Sequence, residues 1–217
     1  MKTDAQLKHD VIAELNWEPS VNAAHIGVEV RDGIVTLDGH VDSYTEKLSA
    51  ERATQRVSGV KALTIDLHVK LFGSSKRDDG DIARSAEHAL QWTTYVSKDA
   101  VKIMVEGGQV TLSGEVDWDW QRRGAVDAVR HLVGVVDVSD RIVIKSKPSS
   151  TGIKADIEAA LRRRAKSNAQ NISVDVRGQD VTLTGTVENW SEREMAANCA
   201  WGAPGVRSVV DNIAITY

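Results

Sequence analysis

Cysteine is nearly missing from this chain: Cys199 stands alone in 217 residues. A single thiol cannot build an internal disulfide framework, and by itself it cannot make a zinc site. Phenylalanine is equally scarce, with one Phe and three Tyr beside six Trp, so the interior is expected to be aliphatic and the tryptophans become the unusual aromatics. No long apolar run opens the chain. The first residues, MKTDAQLKHDVIAELNW, are polar and acidic and lack the apolar region of a secretory signal or anchor, so the expected location is the cytoplasm, with no transmembrane segment. Excess positive charge is absent too. A formal net charge of −4 gives no reason to expect nucleic acid as a partner, because that affinity rests on Lys and Arg neutralising phosphates. What remains, 41% hydrophobic and 27% charged residues, is the balance of a soluble globular protein rather than a disordered or membrane-spanning one.

What the chain does have is repetition. VTLDGHV at Val35 to Val41 returns as VTLSGEV at Val110 to Val116 and as VTLTGTV at Val181 to Val187. The offsets are 75 and 71 residues, and the same offsets carry Leu15 to Leu90 to Leu161 and Gly59 to Gly134 to Gly205. The chain is therefore three similar units, 1–72, 77–146 and 151–217, each near the lower size limit for independent folding. The stretches 73–80 and 146–152, rich in small and polar residues, read as linkers.

Within each unit the apolar spacing predicts the same order of elements. Leu7, Val11 and Leu15 recur at helical spacing, as do Ile82, Ala86 and Leu90, then Ile153, Ile157 and Leu161. Strand alternation follows at Ile26, Val28 and Val30, at Val101, Ile103 and Val105, and at Ile172, Val174 and Val176. Turns at Asp32-Gly33, Gly107-Gly108 and Gly178-Gln179 lead into the repeated phrase as the second strand of a hairpin. Ser43 with Glu46, and Asn189 with Glu192, have capping-box spacing for a second helix, and Asp117 is the expected cap in the middle unit. Gly59, Gly134 and Gly205 are expected to end that helix in the left-handed conformation. A third strand carries Leu67 and Val69, Ile142 and Ile144, then Ile213 and Ile215. The fold class is α+β: three tandem α-β-β-α-β units, each with two helices on one face of a three-stranded mixed sheet.

This order, with V-T-L-x-G-x-V on the second strand and a Gly-Val pair after the second helix (Gly59-Val60, Gly134-Val135, Gly205-Val206), strongly resembles the BON domain, named for an osmotically inducible periplasmic protein and nodulation proteins of bacteria. The resemblance covers all three units. It implies a non-enzymatic module linked to osmotic stress and to phospholipid or envelope surfaces, with potassium binding in one branch. Most relatives of the osmotic type are exported, and the polar opening here departs from that.

Function is expected where the copies differ. Gly39, Gly114 and Gly185 read as structural, on the inward side of the strand, where a missing side chain lets a helix backbone approach or the strand bend. Trp118, Trp120 and Trp190 open the second helices, where an aromatic can enter a lipid headgroup layer or a partner's pocket; the competing reading is packing against a neighbouring unit. Trp17 and Trp92, at the ends of first helices, read as packing residues. Arg162, Arg163, Arg164 and Lys166 end the first helix of the third unit, which carries a net charge of +1 over residues 146–217 against −5 for the rest. They complement the helix dipole and could contact anionic lipid.

No catalytic set emerges. The six histidines show no metal-ligand spacing, no cofactor motif is present, and Asp117 and Asp119 do not face one another at a helix start. Cys199 aligns with Ala53 and Ala128 and reads as a small core residue. The expected function is a non-catalytic stress-associated binding protein that contacts anionic phospholipid or an envelope surface. The alternative is a soluble scaffold for a protein partner or a small ion such as potassium.

Overall fold

A computed structural model of the chain describes residues 2–93, 100–145, 152–164 and 171–216, apart from the side chains of Ser74 and Arg164. The first module runs α1 (Asp4–Trp17), β1 (Ile26–Arg31), β2 (Ile34–Val41), α2 (Tyr44–Arg56) and β3 (Ala62–Val69). The second repeats it as α3 (Asp79–Gln91), β4 (Val101–Glu106), β5 (Gln109–Val116), α4 (Asp119–Arg130) and β6 (Asp137–Ile144). The third is α5 (Ile153–Arg164), β7 (Ile172–Arg177), β8 (Asp180–Val187), α6 (Trp190–Trp201) and β9 (Ser208–Ile215).

Each module has its own three-stranded sheet, with the repeated phrase in the middle: β1-β2-β3, β4-β5-β6 and β7-β8-β9. The hairpin half is antiparallel, Ile26 facing Gly39 and Ile172 facing Gly185. The other half is parallel, Val35 beside Leu63 and Val181 beside Val209, because a helix must carry the chain back between those strands. One face of each sheet is buried. Val35, Leu37 and Val41 meet Leu7, Val11 and Leu15 of α1 and Ala50 and Ala53 of α2 in an aliphatic core, and the third module repeats this with Ile157, Leu161, Ala196 and Cys199. Cys199 is buried, as its alignment with alanines led one to expect.

The glycine of the phrase is structural, as expected, and the backbone that crowds it is not that of a long helix. Gly39, Gly114 and Gly185 hold φ of +120°, +135° and +134°, a region closed to residues with a Cβ. A Cβ there would run into the backbone carbonyl oxygen of His25, Ala100 or Asn171. The close approach is therefore made by the chain entering the neighbouring strand, which in the first module is the end of a short 3-10 turn, Ala23–His25, and not by either long helix. Helix approach is the task of Ala50 and Ala53, both fully buried.

Helix ends differ as well. Helix α2 stops at Arg56 and is closed by Val57 in an extended conformation, so Gly59 lies three residues on, in the turn toward β3, with φ of +107°. Gly134 and Gly205 hold φ of +98° and +88° in the same place. At the start of α2, Ser43 accepts from the Glu46 N–H at 3.1 Å, but the Glu46 carboxylate does not return to Ser43. It accepts from Asn22 N–H and Asp42 N–H, each at 2.8 Å, and so ties the loop before β1 to the helix. In the stretch expected as the first linker, Asp78 caps α3 by accepting from Asp81 N–H at 2.7 Å, and Asp79 and Gly80 are helical.

A second clamp repeats in the first two modules. The Asp4 carboxylate, in the first turn of α1, accepts from the turn amides of Asp32 and Gly33 at 2.8 and 3.0 Å. Asp79, in the first turn of α3, does the same for Gly107 and Gly108 at 2.8 and 2.9 Å. Each carboxylate satisfies two turn donors and sits at the positive end of its own helix.

Three outcomes are expected from native-state hydrogen exchange on the full chain, which resolves one module from another. Gly39→Ala lowers the stability of the β2 amides by about 3 kcal/mol or more, because strain and a backbone collision add. Gly107→Ala, whose Cβ would meet nothing within 4 Å, costs β5 only about 1–2 kcal/mol. Asp79→Ala weakens the second module by about 1–3 kcal/mol, with the Gly107 and Gly108 amides exchanging fastest.

Candidate functional site

The ends of the first helices contradict the expectation of packing residues. Trp17 and Trp92 are 82% and 83% exposed, at equivalent places in the first two modules. Helix α1 ends at Trp17 because Pro19 follows and the residue before a proline avoids the helical region; Glu18 has φ −82° and ψ 109°. The end is then pinned. Arg56 of α2 holds Glu14 at 2.9 Å and Glu18 at 2.8 Å, and its guanidinium holds the Glu18 carboxyl below the usual range. In the third module the corresponding residue is Arg163, and Arg162 and Arg163 are both exposed. Arg164 is the last residue of α5, and Lys166 lies outside the described residues.

The starts of the second helices are more enclosed. Trp118 and Trp190 are half-buried, and Trp120 is 55% exposed. Trp190 lies under the guanidinium of Arg193, 5.5 Å from the ring centre, while Arg193 also bonds Asp211 of β9 at 2.8 Å. In the second module Arg122 and Asp140 take the same places, 3.7 Å apart. Tyr44, at this position in the first module, is half-buried; burial, then the Asp137 carboxylate, raise its hydroxyl pKa, and the Val138 backbone N–H bonds its oxygen. Position 44 is thus a contact between the first two modules.

A third cluster was not visible in the sequence. On the solvent face of the first sheet, β2 and β3 pair like with like: Thr36 with Thr64, Asp38 with Asp66, His40 with His68. His25, one step beyond the Ile26–Gly39 pair, stacks on His40 with ring centres 4.5 Å apart and planes 19° from parallel. Three histidines therefore form a row across the sheet. Their sequence separations carry no motif; the signal was the alternation, which puts His40 and His68 on outward positions, combined with the two-residue turn that sets the β1–β2 register.

Of the structural glycines Gly39, Gly114, Gly185, Gly59, Gly134 and Gly205, Gly39 lies beside the histidine row, against the His25 carbonyl. Among the described residues no group of three or more His, Cys, Asp or Glu converges as a metal site, and no helix is long and apolar enough to cross a membrane.

Comparison with known proteins places these surfaces on a known module. Osmotically-inducible protein Y of Escherichia coli is 30% identical over 146 residues, covering 65% of this chain and 73% of that protein. Two structures of CdsD, a structural protein of the type III secretion system of Chlamydia trachomatis, align over 96% and 100% of the chain at 16% identity. Their TM-scores of 0.26 and 0.27 are too low to carry an argument. The BON domain matches three times, over residues 3–70, 78–146 and 149–217, and the chain belongs to the BON domain family.

Proposed function

We propose that this protein is a non-catalytic, osmotic-stress-associated binding protein that attaches reversibly to anionic phospholipid through the ends of its first helices. The osmotic association rests on the BON family and on the likeness to osmotically-inducible protein Y. The observation that carries the lipid reading is the exposure of Trp17 and Trp92 at equivalent helix ends, with Arg162 and Arg163 at the matching end of α5. An exposed indole leaves a large apolar face in water, and the headgroup layer accepts both that face and the ring N–H. Burying about 100 Å² of each indole contributes about 2.5 kcal/mol, and each arginine near an anionic surface adds about 1 kcal/mol. This shifts the contact from Trp118, Trp120 and Trp190, all less exposed, to the first-helix ends, and keeps the arginines.

A second reading, a scaffold whose helix starts dock against protein, draws support from Tyr44, which packs against the second module rather than facing solvent.

Co-sedimentation with vesicles of rising anionic lipid content separates the two. Binding at low salt is expected, weakened more than about tenfold in Trp17→Ala/Trp92→Ala, and made less salt-sensitive in Arg162→Ala/Arg163→Ala/Arg164→Ala. Vesicle binding that is absent at low salt, or that survives loss of both tryptophans unchanged, would overturn the lipid reading.

A further inference from the structure

We propose that His25 and His40 are the two protein ligands of a site for a divalent transition-metal ion of the Zn²⁺, Ni²⁺ or Cu²⁺ class, on the solvent face of the first sheet. Imidazole is the donor these ions prefer among the groups on that face. The two rings are already assembled, 4.5 Å between centres, and among the described residues none of their nitrogens has a hydrogen-bond partner. Metal–nitrogen bonds of 2.0–2.1 Å in tetrahedral geometry require the two donor atoms to be about 3.4 Å apart. The χ2 torsion of histidine is broad, so the rings of the stacked pair are free to turn their nitrogens toward that separation. The backbone itself is held by the close contact of the His25 carbonyl with Gly39, so the strand positions of the pair are preset.

The electrostatics of the face point the same way. Asp38 and Asp66 are in register in the adjacent row, and like charges directly opposite one another destabilise a sheet. The Asp38 carboxylate leans over Gly27, so closely that a Cβ there would overlap it. A cation beside this pair relieves the repulsion. Because no three donors converge, the protein supplies two ligands and water completes the shell, which leaves coordination positions open, unlike a closed structural zinc site. The arrangement belongs to the first module alone. The residues matching His25 and His40 are Ala100 and Glu115 in the second module and Asn171 and Thr186 in the third.

Zinc titration of the full chain at pH 7.5, above the usual imidazole range, tests this by calorimetry and by histidine ring NMR. One ion per chain is expected, shifting the His25 and His40 ring signals first. His25→Ala and His40→Ala each weaken binding by more than about a hundredfold, beyond the loss of about 10- to 100-fold that removing an outer-shell partner costs, while His131→Ala leaves it unchanged. Both variants remove exposed or half-exposed side chains, and an unchanged amide spectrum confirms the fold. No saturable zinc binding below about 1 mM, a threshold of about 4 kcal/mol, would overturn the proposal. So would His25→Ala and His40→Ala variants that bind zinc as the unmodified chain does.

Discussion

The carbonyl oxygen of the residue before each first strand occupies the space where the central strand would carry a side chain, and the rest of each module is arranged around that contact. His25, Ala100 and Asn171 supply the oxygen; Gly39, Gly114 and Gly185 supply the gap. With the entry to the first strand pressed this closely, the register of the hairpin follows, and with it the alternation that sends Val35, Leu37 and Val41 to the core. The inward face can then be aliphatic throughout, since Ala50 and Ala53 let the second helix lie near the sheet without an aromatic to fill the space. Glu46 completes the arrangement by bonding Asn22 and Asp42. It joins the loop that leads toward the crucial carbonyl to the helix that covers it.

The three copies share this interior and differ outside it. Their common residues specify a fold, and a fold alone does not specify a ligand. The distinguishing residues fall at the ends of the first helices, at the starts of the second helices, and on the open face of the first sheet. These are places where a substitution leaves the core intact, so one scaffold can carry unlike surfaces in tandem.

Periodicity made the helices, strands and core legible in the sequence, because burial of one face imposes its period on the residues. Leu7, Val11 and Leu15 lie where their spacing placed them, and so do Leu67, Ile142 and Ile213. Conformational causes were less visible. The need for glycine at position 39 was plain, but whether a helix or a strand crowds it depends on a backbone path that spacing does not encode. Helix α2 ends at Arg56, just short of the stop expected at Ser58-Gly59, because Gly59 serves the turn toward β3 instead of the last helical turn. Trp17 and Trp92 escape the general tendency of indole to be buried, because their position past the last inward residue, Leu15 or Leu90, leaves them no core to enter. The histidine row was invisible because 15 and 28 residues separate its members; only cross-strand register makes them neighbours.

The mixed order of each sheet also bears on how the chain acquires its structure as it is made. The β1–β2 hairpin closes through a two-residue turn, a microsecond event, and in the first two modules an aspartate already upstream is available to clamp that turn. The third strand is the last part of its module to be synthesised, and it must pair with a central strand more than twenty residues behind it. Until it does, one side of the central strand lies open as an unpaired edge, a template for wrong partners. Since every pairing stays inside its own module, that exposure lasts only while the second helix and third strand of the same module emerge. Vectorial synthesis therefore never leaves more than one central strand of the array waiting for its parallel partner.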